Sequence, residues 1–251
     1  MPRPFRFAAL VFCIGLLMHT PGFAGPGSPI GSDTRQLLVV TTLGWDATDA
    51  RLALYDRAEP GAPWQLRLGP LPAVVGRAGL AWGIGLHPDP PPDAPRKREG
   101  DGKAPAGVFG LGQTFGAAPP ESATPRHMPY IRTTPTLQCV DDPASSLYNR
   151  LADTAATPPT WASAETMARP DGLYRHGAVV LHNDAPPKPG CGSCIFLHIW
   201  EGAVIPTSGC TAMAETDLIA LLKLLDQKSN PLLVQLPEVE YEERKEGWGL
   251  P

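Results

Sequence analysis

The chain has 251 residues, with 21 Lys and Arg against 25 Asp and Glu for a formal charge of -4, and 43% of its residues are hydrophobic. That length can bury one sizeable core, and the charge balance offers no basic surface for nucleic acid. Its 31 prolines weigh against long uninterrupted helices and favour strands joined by irregular loops.

In chain order, the first feature is a leader. Arg3 and Arg6 open it, residues 7–18 are an apolar run too short to span a membrane as a mature helix, and Gly22-Phe23-Ala24 places small residues where a signal peptidase reads. The expectation is a secretory signal peptide over residues 1–24, cut after Ala24. Cleavage removes two of the 21 basic residues and moves the formal charge from -4 to -6. Cys13 leaves with the leader, while Cys139, Cys191, Cys194 and Cys210 stay in an exported domain. No later apolar segment approaches the length of a bilayer span, so no stable membrane insertion is expected after cleavage.

Residues 25–36 read as a linker. Beyond it, short runs of branched or alternating apolar residues predict strands over residues 37–42, 51–56, 63–68, 107–111, 178–182, 194–200 and 232–236. Residues 83–95 contain HPDPPPDAP, which cannot pair inside a sheet, and residues 117–129 make a second long loop. A weak helical pattern covers residues 143–151. A stronger one covers residues 215–227, where Leu218, Leu221, Leu222 and Leu225 recur at i, i+3, i+4, i+7. Residues 237–251 read as a charged, exposed tail. No internal repeat or composition break divides residues 37–236, which are expected to form one mostly β domain.

The chemistry-bearing residues gather late in this domain. In FLHIWEGAVIPTSGCTAM, His198 precedes Cys210 by twelve positions, and Gly209 frees the backbone to turn just before the thiol. A thiol reacts as thiolate, so a reactive cysteine needs a nearby base and a turn that exposes its sulfur. The helix predicted from residue 215 starts close enough to favour the thiolate in part through its dipole. Taken singly, each residue has a plainer reading: half of a disulfide for Cys210, a core histidine for His198. Cys191 and Cys194 form a CxxC that, with His198 and Cys210, would offer zinc three thiolates and an imidazole. A redox pair is disfavoured because no βαβ pattern surrounds it. In an oxidising compartment a disulfide is the simpler outcome, with connectivity among Cys139, Cys191 and Cys194 left open.

His182 ends a predicted strand, where it either lines a cleft as a substitute base or makes a structural hydrogen bond. Gly100, Gly102, Pro105 and Gly107 read as a turn entering a strand, since no phosphate-loop lysine step follows. Lys97, Arg98 and Lys103 are candidate anchors for acidic groups, and Asp141 and Asp142 read as turn residues.

Four separated blocks carry a resemblance: KREGDGKAPAGVFGLGQTFG over residues 97–116, QCVDDPASSLYN over residues 138–149, VVLHND over residues 179–184, and the His198 to Cys210 segment. In this order they resemble the exported bacterial branch of the L,D-transpeptidases of the YkuD type. The resemblance implies an L,D-transpeptidase-like β-sandwich of mixed sheets with a few short helices, one following the catalytic cysteine. It further implies a monomer that needs no cofactor or metal and works in the periplasm or cell wall on peptidoglycan stem peptides. Cys210 would be the nucleophile and His198 the base, its other ring nitrogen held by the carbonyl of Ile199 or Trp200. The amides of Gly209 and Cys210 would form the oxyanion site, and Thr207 would line the cleft. Such enzymes form an acyl-thioester with release of D-Ala, then pass the acyl group to an amine to make a 3-3 cross-link; water as acceptor gives a carboxypeptidase. The resemblance favours a Cys139 to Cys194 disulfide, both residues lying inside its blocks. One departure is Ser208, where many relatives carry a histidine; the residue there either contacts substrate or stabilises the turn.

Overall fold

A computed structural model describes residues 27–123 and 127–251. The expected signal peptide lies outside the described residues. Among them, no helix is long and apolar enough to cross a membrane.

The domain is mostly β. Its centre is strand β1 (Gln36–Thr42), whose LLVV run is buried on both faces because it has partners on both sides. It pairs antiparallel with β2 (Asp49–Asp56) and parallel with β13 (Leu232–Pro237). β2 continues to β3 (Gln65–Val74), which runs well past the expected end at residue 68 and through Pro70 and Pro72. Register shifts opposite Leu52 and Leu54 interrupt that ladder beside the prolines, which lack an N–H to donate. On the other side of β13 lies β5 (Ala104–Gly116), the longest strand, with the short β4 (Leu80–Trp82) and β6 (Tyr130–Arg132) pairing parallel to its two ends.

β5 closes the sheet. Its second half pairs with β10 (His176–Val180), which leads through β11 (Phe196–Ile199) and β12 (Thr211–Met213) back to β3, so the path returns on itself like a barrel. A separate three-stranded sheet of β8 (Arg150–Asp153), β7 (Leu137–Val140) and β9 (Ala164–Thr166) sits beside this closed sheet.

Two apolar clusters hold these parts. The larger runs from β1 and β2 through β5 and β13 to the helices, and includes fully buried Leu38, Leu52, Leu54, Val108 and Phe109. Each such side chain contributes about 1.5–3 kcal/mol by leaving water. The smaller cluster joins the two sheets through Phe115, Leu137, Met167, Tyr174, Phe196 and the cysteines Cys139, Cys194 and Cys210. Helix α1 (Glu215–Leu224) buries Leu218, Leu221 and Leu222 and packs on β10 and β11. It stops before the expected residue 227 because Leu225 turns extended and Asp226 instead accepts from Lys228 N in a following 3₁₀ turn.

Two expectations are corrected. Residues 143–151 are not helical: Asp142 accepts from Ala144 N, Ser145 Oγ accepts from Leu147 N, and Asn149 adopts φ 59°. These side-chain bonds compete with helix formation and produce turns leading into β8. Residues 237–251 are not an exposed tail but helix α2 (Glu238–Trp248), ended by Gly249 in the left-handed conformation. Tyr241 is buried, and Arg244 pairs with Glu240 while stacking over Trp82 at 5.0 Å and Trp248 at 5.6 Å.

Candidate active site

β11 and β12 run side by side in parallel, with His198 level with Ala212. Cys210 is the residue before β12, which brings its sulfur against β11. Phe196 N donates to Cys210 Sγ at 3.3 Å, and the thiol donates to the Cys194 carbonyl at 3.6 Å. His198 faces the same cleft. Its Nδ1 lies 2.7 Å from the Ile199 carbonyl, which can only accept, so Nδ1 carries the proton and Nε2 is left as a base. Both residues line a cavity of about 510 Å³, together with Thr207, Ser208 and Gly209. In this arrangement the thiol hydrogen is directed to Cys194 rather than to the imidazole.

Burial sets the charges. It pushes the Cys210 thiol up to about 12, and the nearby Glu165 carboxylate adds to the rise. It pushes His198 down to about 4, partly opposed by the Ile199 carbonyl. At neutral pH the pair is therefore thiol and imidazole, not thiolate and imidazolium. Helix α1 begins at Glu215 as expected, and Thr211–Met213 continue as strand between it and the thiol.

The turn before the thiol is braced by Thr207. Its hydroxyl donates to the Cys210 carbonyl at 2.6 Å and accepts from Gly209 N at 3.1 Å. The Gly209 amide is thus occupied, which corrects the expectation of a paired oxyanion site. Among the described residues, no acceptor engages the Cys210 amide. Ser208 is exposed in the cleft and makes no side-chain hydrogen bond among the described residues, so it does not stabilise the turn. Gly209 takes φ 155°, and a Cβ there would lie 3.1 Å from the Lys103 carbonyl. Close approach of these two backbones requires glycine.

Cys139 and Cys194 form a disulfide, while Cys191 and Cys210 are free. With Cys194 committed, the set of three thiolates and His198 that zinc would need is not assembled. The bridge ties β7 to the loop whose carbonyl holds the Cys210 thiol. Asn149 secures the same loop: its Oδ1 accepts from Cys194 N at 2.9 Å, and its Nδ2 donates to the carbonyls of His182 and Asn183.

His182 is structural, not a substitute base. It accepts from Ile84 N at Nδ1 (3.2 Å) and donates from Nε2 to the Cys191 carbonyl (3.0 Å), so both nitrogens are engaged. It does not line the cleft. Lys97, buried and in the cleft wall, pairs with Asp101 at 2.6 Å, and Asp101 also accepts from the amides of Arg98 and Lys103. That bonding makes residues 97–103 a turn. Asp142 caps its own turn, whereas Asp141 lines the cleft with a buried Oδ1 that has no partner among the described residues.

Sequence reasoning missed Tyr174, Glu165 and Arg169. The Tyr174 ring stands edge-on to His198, 5.1 Å between centroids, and its hydroxyl donates to Glu165 Oε1 at 2.6 Å. Arg169 lies over the Tyr174 ring and pairs with Asp171 and with Glu165. Burial raises the pKa of both Glu165 and Tyr174. Only the charged spacing of Glu165 and Arg169 was visible in sequence, and nothing in it indicates contact with a strand some thirty residues on. Comparison with family models, curated proteins and solved structures gave no match.

Proposed function

We propose that this chain is an exported L,D-transpeptidase of the YkuD type that acts on peptidoglycan stem peptides in the periplasm or cell wall. One observation carries the reading. A free thiol and an imidazole with its Nδ1 anchored share one cleft from adjacent strands, while the neighbouring cysteines are tied off as a disulfide. The mixed parallel and antiparallel pairing around the cleft is compatible with the mixed-sheet sandwich of that family.

In this mechanism Cys210 Sγ turns from the Cys194 carbonyl toward His198 Nε2 and attacks the carbonyl that precedes the terminal D-Ala. Because the resting thiol is neutral, its proton passes to Nε2 as the S–C bond forms. The oxyanion accepts from the Cys210 amide. Collapse breaks the C–N bond, His198 returns the proton to the leaving amine, and an acyl-thioester remains on Cys210. An amine from a second stem displaces the thiol and yields a 3-3 cross-link.

Intact mass after incubation with a carbapenem tests this. A covalent adduct mapped to Cys210, absent from a folded Cys210→Ala protein, is the expected result. No adduct, with sacculus binding unaltered by Cys210→Ala, would indicate a wall-binding module without turnover. Digested sacculi that lose D-Ala but gain no 3-3 dimers would identify water as the acceptor and the protein as a carboxypeptidase.

A further inference from the structure

Three cationic side chains line the cleft: Arg77, Lys97 and Arg169. Two of them are already neutralised, Lys97 by Asp101 at 2.6 Å and Arg169 by Asp171 and Glu165. Arg77 is exposed, and its guanidinium has neither an acidic partner nor a hydrogen-bond acceptor among the described residues.

The backbone joins Arg77 to the turn that leads to the reacting thiol. Thr207 N donates to the Val75 carbonyl at 2.9 Å and Arg77 N donates to the Thr207 carbonyl at 2.8 Å, which zips residues 75–77 to the turn that ends in Cys210. The side chain is seated as well. Gly102 sits beneath it: a Cβ at that position would lie 3.1 Å from Arg77 Cγ, Nε and Cζ. With no side chain at 102, the Arg77 side chain from Cγ to Cζ can lie close over the backbone there.

From this geometry we infer that Arg77 is a specificity residue that binds the free terminal carboxylate of the leaving amino acid, an inference that rests on the reading of Cys210 and His198 as the reacting pair. The leaving residue carries that carboxylate one residue beyond the bond being cut. Its negative charge needs a counter-charge in a cleft whose Cys210 and His198 are neutral and whose Glu99, Asp141 and Glu165 are acidic. An unpaired guanidinium meets a carboxylate in two parallel hydrogen bonds, a geometry that lysine and neutral donors do not reproduce. The enzyme would then act on the last residue of a stem and spare the same bond inside a longer or amidated chain.

Binding to the Cys210→Ala protein isolates this contact from turnover. The probes are a tetrapeptide stem with a free terminal carboxylate and the same peptide as its carboxamide. The acid should bind at least about tenfold more tightly, and Arg77→Met in the same background should erase the difference while Arg77→Lys restores only part of it. In turnover, Arg77→Met should lower kcat/KM for the acid to the level of the amide. An unchanged acid-to-amide ratio in Arg77→Met would overturn the clamp alone, provided that a carbapenem still labels Cys210. Absence of both the label and binding of either peptide would overturn the reading of the reacting pair, and the clamp with it.

Discussion

Cys210 and His198 share the cleft as two uncharged groups, and the cause is desolvation. A free thiol of ordinary acidity approaches full reactivity toward small alkylating agents by about pH 9. Here the thiolate forms only toward about 12, so iodoacetamide labelling of Cys210 should be slow at pH 7 and still be climbing at pH 10. A plateau near pH 8, read by mass spectrometry, would contradict this assignment. The acid side follows from His198. Its pKa near 4 keeps Nε2 deprotonated well below pH 6.5, so the acid limb of kcat/KM belongs near pH 4. The same shift, shared by His182, works against folding in acid: both rings are neutral when buried and would protonate once unfolded, so their contribution is complete above about pH 6.5 and is lost as pH falls toward 4.

At the scale of elements, most long or periodic segments were legible. β1, β2, β5, β10, β11, β13 and α1 all appear where apolar alternation or helical spacing placed them, though β5 is 13 residues where five were expected. β4, β6, β9 and β12 have three residues each, too few for any period, and exist because a neighbouring strand offers a ladder. α2 was missed for another reason. Its sequence EVEYEERKEGW lacks a broad apolar stripe, and its stability comes from contacts with distant residues that no local window contains. Arg244 makes one of these, stacking over Trp82, while its contacts with Glu240 and Trp248 lie within the helix. Arg244→Ala should cost about 1–2 kcal/mol in urea unfolding, from cation–π contact and lost stem packing as well as the ion pair. A change within error would mean that the helix is held by Tyr241 and the segment after it alone. Of the site, His198, Cys210 and Thr207 were legible from one short segment. Tyr174, Glu165 and Arg77 were not, since they reach the cleft from parts of the chain far from that segment, and neither was Asn149, which braces the Cys194 loop from outside the cleft.

At the scale of the whole molecule, the closed sheet and the three-stranded sheet meet at the cleft, and the Cys139–Cys194 bridge fastens one to the other. It spans 55 residues, for which loop-closure entropy predicts about 4 kcal/mol of stabilisation. The Cys139→Ala/Cys194→Ala protein should lose about 2–5 kcal/mol by denaturant unfolding and should also lose turnover, because the Cys194 carbonyl and the sheet bearing Glu165 are no longer fixed. Full activity in that variant would show that Asn149 and packing suffice to hold the loop. The raised pKa of Cys210 has a further result for this bridge. Cys210 packs in the same apolar cluster as both half-cystines, and thiol–disulfide exchange proceeds through a thiolate. A sulfur that keeps its hydrogen does not unpick the staple next to it, so a reactive residue and a covalent crosslink can share one small space without scrambling each other.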